Sequence, residues 1–290
     1  MQQLMSQIFM DGGDADETRA ADNLLRTIRP EWQRGIDGQT TNPTLVAKNP
    51  EIQKYLASGK KLTPNDALTE YRKIVEAIAE VTGGPISIQV IADQSTSADE
   101  MLRQARVYKE WVPNGVVKFP CTTEGLAAAE IFCQEFPVNI TLNFSQEQAA
   151  AVYQATRKSR YRVFISPFVG RLDDRGENGM DIVVNELKMY HDGDGHVDVL
   201  TASVRTLNHL MYAICLQSPA ITVPMKVFQE WANQGFPLPD ENFTYDAGQL
   251  KPIPYQQLSL DKDWRSYDLH HDLTDVGLTR FTQDWQKLTQ

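Results

Sequence analysis

The chain has 290 residues, which suits either two modest domains or one large α/β barrel. Its 28 Lys and Arg against 38 Asp and Glu give a formal net charge of −10, which argues against nucleic acid or an anionic membrane as the main partner. No apolar run approaches the ~18 residues of a membrane span, and no basic, apolar leader opens the chain. The sequence therefore predicts a cytoplasmic protein, with Cys121, Cys133 and Cys215 as buried free thiols.

Short apolar, β-branched runs alternate along the chain with longer segments of helical spacing. The runs predicted as strands are Gln7–Met10, Gly35–Gln39, Ile86–Ile91, Val116–Phe119, Val138–Leu142, Arg162–Pro167, Asp198–Ala202 and Ala220–Pro224. The clearest predicted helices are Asn65–Val81, Ser97–Trp111, Thr123–Phe136 and Ser145–Thr156. Several strands are apolar on both faces, as parallel strands covered by helices are. Eight of them predict a single (β/α)8 TIM barrel, with a doubly wound open sheet as the alternative.

Two helix starts carry recognisable capping signals. Thr63 followed by Pro64 predicts an N-cap with proline in the first helical position. Ser145 with Gln148 has the S-x-x-Q spacing of a capping box, in which each residue bonds the backbone of the other. Both signals support the helical interpretation of the segments that follow them.

The chain changes character after the eighth predicted strand. From Gly235 to Lys262 it is rich in Pro, Asp, Asn and Gln, which indicates an irregular excursion and not a second domain. Leu278, Phe281 and Trp285 then form one apolar helical face, expected to dock on the barrel or on a neighbouring subunit. The predicted organisation is one barrel domain over 1–290, with an insertion and C-terminal helix over about 235–290 packed on it.

Reactive groups in such barrels lie at the carboxyl ends of strands, and Lys118 is the most informative candidate. It interrupts the apolar run VVKFP, so its amine faces the barrel interior or is paired. Burial disfavours the charged amine, and a neutral amine can attack a carbonyl to form a Schiff base. The alternative is a structural ion pair or a lysine snorkelling from a strand end. Asp11 ends the first strand, as a general base or as the cap of the next helix.

Further polar residues stand at the ends of separate predicted strands. They are Asn42, Asn139, Thr141 and Ser166. Each alone is explained by turn chemistry, in the case of Asn42 before Pro43, or by a satisfied polar group in the core. Together they indicate a polar lining for a hydroxylated ligand.

Arg171, Ser203 and Arg205 indicate a phosphate site, because the end of the seventh strand is a usual phosphate position in barrels and arginine donates two parallel hydrogen bonds. The alternative for each arginine is a surface salt bridge. The spacing of Asp14 and Asp16 is too weak a signal for a metal site. No GxxxxGK[ST] or GxGxxG motif occurs, so no nucleotide cofactor is indicated.

Taken together, these segments resemble the transaldolase family, most closely its shorter bacterial form. The matching segments, in the family's order, are FMDGGD, TTNPTLVAK, VVKFPCTTEGL, VNITLNFSQEQA, ISPFVGRLDDRGENGMDIV, TASVRT, ITVPMKVF and LTDVGLTRFTQDW. The resemblance runs from Gln7 to about Phe228 and returns at the C-terminus. It implies a (β/α)8 barrel whose Schiff-base lysine lies on the fourth strand, which is the strand that holds Lys118.

The resemblance also implies a role for each candidate. Lys118 would attack the C2 carbonyl of a ketose phosphate, Asp11 would remove the proton of the C4 hydroxyl, and Thr141 would position a catalytic water. The residues implied to hold the dihydroxyacetone unit are Asn42, Asn139 and Ser166, and those implied to hold the phosphate are Arg171, Ser203 and Arg205. No cofactor and no metal are implied.

Two positions distinguish the members of this family. Transaldolases carry a glutamate on the third strand, where this chain has Gln89, as the related fructose-6-phosphate aldolases do. Those aldolases have a tyrosine where this chain has Phe168, and that tyrosine favours protonation and release of the enamine. We give Phe168 more weight, because the segment around it is the transaldolase version.

The predicted function is therefore a transaldolase without a cofactor. Its donor would be fructose 6-phosphate or sedoheptulose 7-phosphate and its acceptor erythrose 4-phosphate or glyceraldehyde 3-phosphate, in the pentose phosphate pathway. The alternatives are a related aldolase, a transaldolase for a modified sugar, and a binder of sugar phosphates without catalysis. A homo-oligomer is expected, as for most soluble enzymes.

Overall fold

A computed structural model describes residues 4–289, so the ends of the predicted domain, 1–3 and 290, lie outside the described residues. Eight parallel strands follow one another around a closed barrel, which excludes the doubly wound alternative. The strands are β1 (Gln7–Asp11), β2 (Gly38–Thr40), β3 (Ile86–Gln89), β4 (Gly115–Pro120), β5 (Val138–Asn143), β6 (Val163–Pro167), β7 (Val197–Thr201) and β8 (Ala220–Val223). Strand β8 pairs with β1 and closes the sheet. The eight predicted strands are thus present, with ends shifted by a few residues.

Helices surround this barrel and cover its apolar outer face. They are α1 (Ala15–Ile28), α2 (Pro43–Ala47), α3 (Pro50–Ala57), α4 (Pro64–Ala79), α5 (Ala98–Tyr108), α6 (Thr123–Phe132), α7 (Gln146–Ala155), α8 (Val169–Asp173), α9 (Gly179–His191), α10 (Leu207–Cys215), α11 (Met225–Asn233) and α12 (Asp272–Gln286). No helix in the described range is long and apolar enough to cross a membrane. Cys121 and Cys133 are buried free thiols as predicted, but Cys215 is exposed.

The two predicted helix caps differ in how completely they form. Thr63 accepts a hydrogen bond from the N–H of Asp66, whose carboxylate accepts from the N–H of Thr63 in return. Ser145 caps α7 through the N–H of Gln148, but the Gln148 side chain accepts from the N–H of Phe144. The predicted capping box at Ser145 is therefore only half formed, because the Gln148 side chain forms hydrogen bonds with the C-terminal region instead.

Helix α12 lies against α2 and β5, at the carboxyl end of its own barrel. Its apolar face is buried as predicted, with Leu278, Phe281 and Trp285 each at most 8% exposed. The Thr44 hydroxyl donates to Oδ2 of Asp284 at 2.7 Å and fastens the helix to α2. The C-terminal helix is therefore placed to contribute side chains to any site at this end of the barrel.

Residues 235–262, which we name the strap, run along the outside of the helix layer. Tyr245 of the strap stacks on Tyr212 of α10 with ring centroids 4.4 Å apart. Asn185 of α9 donates to the carbonyl of Ile253 at 2.9 Å. The strap therefore packs on the outer helices, and none of its residues lines the cavity at the carboxyl ends of the strands.

Candidate active site

A polar cavity of about 290 Å³ opens at the carboxyl ends of the barrel strands. Eight of the eleven site residues predicted from the sequence line it, namely Asp11, Asn42, Lys118, Ser166, Phe168, Arg171, Ser203 and Arg205. Gln89, Asn139 and Thr141 do not line it and are buried within β3 and β5. The fold thus brings residues from widely separated segments to one end of the barrel.

Lys118 lies in the middle of β4 and is 2% exposed. In the sheet register it stands between Gln89 of β3 and Asn139 of β5. Its Nζ donates to the carbonyl of Thr41 at 3.3 Å, and no carboxylate of the described residues lies within ion-pair distance of it. Burial lowers the pKa of Lys118 to about 8, although nearby Asp11 acts to raise it. The ion-pair alternative for this lysine is therefore wrong.

Asp11 ends β1 with its carboxyl group in the same cavity. Burial raises the pKa of Asp11, and the positive charge of Lys118 and a hydrogen bond from Thr40 at 2.8 Å oppose that rise. The Thr40 hydroxyl in turn lies 2.6 Å from that of Thr222. Asp14, and not Asp11, caps α1. Asp11 is therefore a buried carboxyl group held beside the amine and free of the capping role.

Ser166 lies at the floor of the cavity and is hydrogen-bonded to polar side chains beneath it. The Ser166 hydroxyl donates to Oδ1 of Asn139 at 2.8 Å, and Nδ2 of Asn139 donates to the Ser87 hydroxyl at 3.0 Å. Asn42 lines the wall, where its Oδ1 also caps α2 by accepting from the N–H of Leu45 at 3.0 Å. The turn interpretation of Asn42 is thus correct, and its side chain still borders the cavity.

Gln89 and Thr141 are fully buried, yet each has a polar atom without a hydrogen-bond partner. These atoms are Oε1 of Gln89 and the hydroxyl of Thr141. Gln89 is in register with Lys118, and Thr141 lies two residues beyond Asn139 on the other neighbouring strand. Buried polar atoms are almost always paired, so an unpaired one on each side of the lysine strand indicates a place for a small polar molecule.

The far wall of the cavity is strongly positive. It is lined by Arg171, Arg205 and Arg280, whereas Lys48 lines the part of the cavity near Asp11. The guanidinium of Arg171 has no ion pair within residues 4–289, and burial together with Arg280 and Arg205 lowers its pKa. Arg205 is paired with Asp174, with 2.8 Å between Nη2 and Oδ2. An unpaired, half-buried guanidinium among other cations indicates a site for an anion.

Backbone hydrogen bonds join the two loops that carry these arginines. The N–H of Gly170 donates to the carbonyl of Ser203 at 3.1 Å, and Ser203 has a left-handed φ of 58°. A Cβ on Gly170 would lie 2.5 Å from that carbonyl oxygen and 2.3 Å from Cγ of Arg205. Only glycine permits this close approach, which sets Arg171 and Arg205 on the same wall.

Phe168 also lines the cavity, and its ring offers no hydroxyl group to a bound molecule. It packs edge-on against Phe144 at 5.8 Å, and the Arg171 guanidinium lies 5.9 Å from its centroid. The ring centroid of Phe281 on α12 lies at a similar distance, 6.0 Å, from the same guanidinium. The two aromatic rings therefore hold the guanidinium without neutralising it.

Sequence reasoning missed five polar residues of the site, which are Thr40, Thr44, Thr222, Lys48 and Arg280. Thr222 is a polar residue within the apolar strand β8, the same signal that singled out Lys118. Lys48 and Arg280 follow no strand, since they come from the end of α2 and from α12. Nothing in the local sequence marks them, because only the packing of α12 brings Arg280 to the cavity.

The fold and the cavity together define a (β/α)8 barrel whose polar groups converge at the carboxyl ends of the strands, as active sites of barrel enzymes do. The chain matches the family described as Transaldolase/Fructose-6-phosphate aldolase over residues 8–290. It is 33% identical over 249 residues to a probable transaldolase of Sorangium cellulosum, covering 86% of this chain and 98% of the relative. A probable transaldolase of Herpetosiphon aurantiacus is 30% identical over 284 residues, covering 97% and 96%. The chain belongs to the transaldolase/fructose-6-phosphate aldolase family.

Among solved structures, the chain is similar to a mutant tryptophan synthase alpha-subunit from Pyrococcus furiosus. The TM-score is 0.43 at 13% identity, over 81% of this chain and 95% of that one. At this level of identity the similarity says nothing about the reaction.

Proposed function

We propose that the protein is a transaldolase, which transfers a dihydroxyacetone unit from a ketose phosphate to an aldose phosphate through a Schiff base on Lys118. The observation that carries this proposal is the buried Lys118 amine, unpaired with any carboxylate and facing a cavity with a cationic far wall. With a pKa of about 8, about a quarter of this amine is neutral at pH 7.5, against about 0.1% of an ordinary lysine. The donors would be fructose 6-phosphate or sedoheptulose 7-phosphate, and the acceptors erythrose 4-phosphate or glyceraldehyde 3-phosphate.

In the first half of the reaction, the neutral amine of Lys118 attacks the C2 carbonyl of the ketose and forms a carbinolamine. The carbinolamine takes up a proton from water and loses its hydroxyl group as water, which gives a protonated imine; hydrolysis of the imine later returns that proton. Asp11 then takes the proton of the C4 hydroxyl, and the C3–C4 bond breaks. Its electron pair moves into the imine, which becomes an enamine, while the C4 fragment leaves as an aldose. Burial raises the pKa of Asp11, whereas the positive charge beside it and the hydrogen bond from Thr40 act to keep it ionised before this step.

In the second half, C3 of the enamine attacks the aldehyde carbon of the acceptor, and the new hydroxyl takes its proton from Asp11. Hydrolysis of the imine then releases the product ketose and the free Lys118. Loss of water from the carbinolamine and hydrolysis of the imine both need room for a water beside the lysine, and the unpaired polar atoms of Gln89 and Thr141 suit it. Gln89 orients such a water but cannot exchange a proton with it, as a glutamate would.

The remaining residues of the cavity bind the substrate in this proposal. Asn42 and Ser166 contact the hydroxyls of the dihydroxyacetone unit, and Asn139 acts through the Ser166 hydroxyl that it holds. The substrate phosphate lies at the cationic wall, where Arg171, Arg205 and the backbone at Ser203 provide the donors. Arg280 from α12 adds a further charge at this end.

A fructose-6-phosphate aldolase is the second candidate, and Gln89 is the observation that favours it. An aldolase releases dihydroxyacetone after its enamine is protonated, which needs a proton donor above C3. Phe168 occupies the cavity wall with no hydroxyl to donate, so we rank the aldolase second.

Purified protein with fructose 6-phosphate separates the two candidates when release of glyceraldehyde 3-phosphate is followed with and without erythrose 4-phosphate. Release only in the presence of the acceptor supports the transaldolase. Equal release without it identifies an aldolase. If sodium borohydride traps no adduct with fructose 6-phosphate or dihydroxyacetone, the Schiff-base mechanism is wrong.

A further inference from the structure

His209 is a buried histidine behind the cationic wall of the cavity, and it does not line the cavity itself. It lies in the first turn of α10, and both of its ring nitrogens are engaged. Nδ1 accepts a hydrogen bond from the backbone N–H of Arg205 at 3.3 Å, and Nε2 lies 2.8 Å from Oδ2 of Asp173. Because Nδ1 is the acceptor, the ring proton that faces Asp173 lies on Nε2.

The two partners of His209 belong to the two loops that carry the arginines. Asp173 is the last residue of α8, two residues after Arg171, and Arg205 follows β7. The second carboxylate oxygen of Asp173 accepts from the N–H of Gly179 at 2.9 Å, so both oxygens are fixed. His209 therefore joins, through its side chain, the same two loops that the backbone bond of Gly170 joins.

The strap packs behind His209. The ring of Tyr245 lies 6.4 Å from that of His209, and its hydroxyl donates to Oδ1 of Asn178 at 3.3 Å. The N–H of Asn178 donates in turn to the carbonyl of Lys251 at 2.8 Å. The strap therefore encloses the imidazole from outside and is bonded to the loop that follows α8.

We propose that His209, held by Asp173, is a positioning residue of the anion-binding site. It fixes the loops of Arg171 and Arg205 relative to each other, so that both arginines reach one phosphate group. This inference rests on the proposed function, because it requires a phosphate at the cationic wall. Loss of His209 weakens the binding of phosphate and leaves the chemistry of Lys118 intact.

The test compares full-length His209→Ala and His209→Asn with the unaltered protein. Inorganic phosphate is titrated by calorimetry, KM and kcat are measured with fructose 6-phosphate, and dihydroxyacetone, which has no phosphate, is trapped with borohydride. In His209→Ala we expect the phosphate Kd and the KM to rise about tenfold, with trapping unchanged. The Asn side chain places an acceptor near the position of Nδ1, so His209→Asn regains part of the affinity.

His196 provides the matched control, because it also pairs with an aspartate, Asp194, but lies before β7 at the opposite end of the barrel. His196→Ala is expected to bind phosphate like the unaltered protein. Asp173→Asn is the second variant. Its amide NH2 group would face either the Nε2 proton of His209 or the N–H of Gly179, and one of these two hydrogen bonds would be lost because two donors face each other. This variant should weaken phosphate binding as His209→Ala does.

An unchanged phosphate Kd in folded Asp173→Asn or His209→Ala overturns the proposal, as does an equal loss of dihydroxyacetone trapping, which indicates general damage. If the unaltered protein binds phosphate but traps no dihydroxyacetone, the proposed function fails, while the phosphate Kd of each variant still decides the role of His209. If the unaltered protein traps dihydroxyacetone but binds no phosphate, the anion-site assignment and the role of His209 both fail.

Discussion

The amine end and the cationic end of the cavity are held by different parts of the fold. Lys118 and Asp11 lie on barrel strands, where the parallel register and the hydrogen bond from Thr40 fix their side chains. Arg171 and Arg205 lie beyond the ends of β6 and β7, and loop contacts place them. The strand-built end provides reactive groups, and the loop-built end provides charge. A substitution at the first end should change the chemistry, and one at the second should change which ligands bind.

Removing the amine should have the largest effect. In Lys118→Met we expect the transfer activity to fall at least about 10³-fold, because Lys118 is the buried amine of the cavity, whereas Lys48, the other lysine that lines it, is exposed. Mass spectrometry after borohydride treatment with fructose 6-phosphate should detect no adduct. Phosphate should still bind, since the arginines belong to the other end.

Lys109→Met is the control for this experiment. Lys109 is a half-buried lysine whose Nζ lies 4.2 Å from the ring centroid of Phe136, outside the cavity. It should retain full activity and the adduct. A persistent adduct in Lys118→Met would place the Schiff base on another lysine and remove the central argument for the mechanism.

The next largest effect is expected at the cationic end. Arg171→Gln should raise KM for fructose 6-phosphate about 100-fold, because it removes a charged, bidentate donor that forms no ion pair within residues 4–289. Arg205→Gln should raise it less, since Asp174 already pairs with Arg205. Steady-state kinetics with fructose 6-phosphate measures both, and trapping of dihydroxyacetone shows whether the amine end is intact.

Asp174→Asn sharpens this comparison from the opposite direction. It frees Arg205 from an exposed ion pair, and such pairs contribute about 0.2–1 kcal/mol, so phosphate should bind up to about fivefold more tightly. Equal effects of Arg171→Gln and Arg205→Gln, with no gain in Asp174→Asn, would contradict the distinction between a free and a paired arginine.

The same contrast explains what the sequence could predict. A polar residue within an apolar strand is visible in the chain, and strand ends meet at one end of a parallel barrel, so Lys118, Asp11 and Ser166 were found by pattern. Asn139 was found as well, but it is bonded below the cavity floor, because the pattern gives the strand and not the depth of a side chain.

The loop-built end was only partly predictable. Arg171 and Arg205 follow strands, but Arg280 lies on a helix whose docking depends on the Thr44–Asp284 hydrogen bond and on buried apolar contacts. The sequence did not indicate where the insertion lies on the barrel. The strap lies against the outer helices, and long-range contacts of this kind have no local signature.

The amine end also predicts a particular pH dependence. The pKa of Lys118 is about 8, so the rate of adduct formation with dihydroxyacetone should rise about tenfold per pH unit below pH 8 and level off above it. Asp11 raises this pKa, so Asp11→Asn should move the midpoint to lower pH. Trapping rates between pH 6 and 10 measure both midpoints. A midpoint near 10 would contradict the burial of the amine, and one moved upward by Asp11→Asn would contradict the effect of the Asp11 charge on it.

Glu186 tests whether burial by itself marks a functional group. It is fully buried on α9, accepts a hydrogen bond from Asn143, and has Oε2 unpaired, but it does not line the cavity. Burial raises its pKa well above 4.5. Protonated Glu186 therefore contributes fully to stability at a pH below the pKa of a glutamate in the unfolded chain. This contribution is lost as the pH rises through the raised pKa of Glu186 in the folded state.

Glu186→Gln should remove this pH dependence and leave the activity nearly unchanged. Its amide can donate to the unpaired Oδ1 of Asn143, so the free energy of unfolding at pH 8.5 should rise by about 1–3 kcal/mol. Near pH 4.5, where the folded state is protonated and about half of the unfolded chains are, most of the gain should disappear. Urea unfolding at the two pH values measures this difference, with the exposed Glu135→Gln as control. A loss of trapping in Glu186→Gln would instead connect this buried carboxyl group to the amine end.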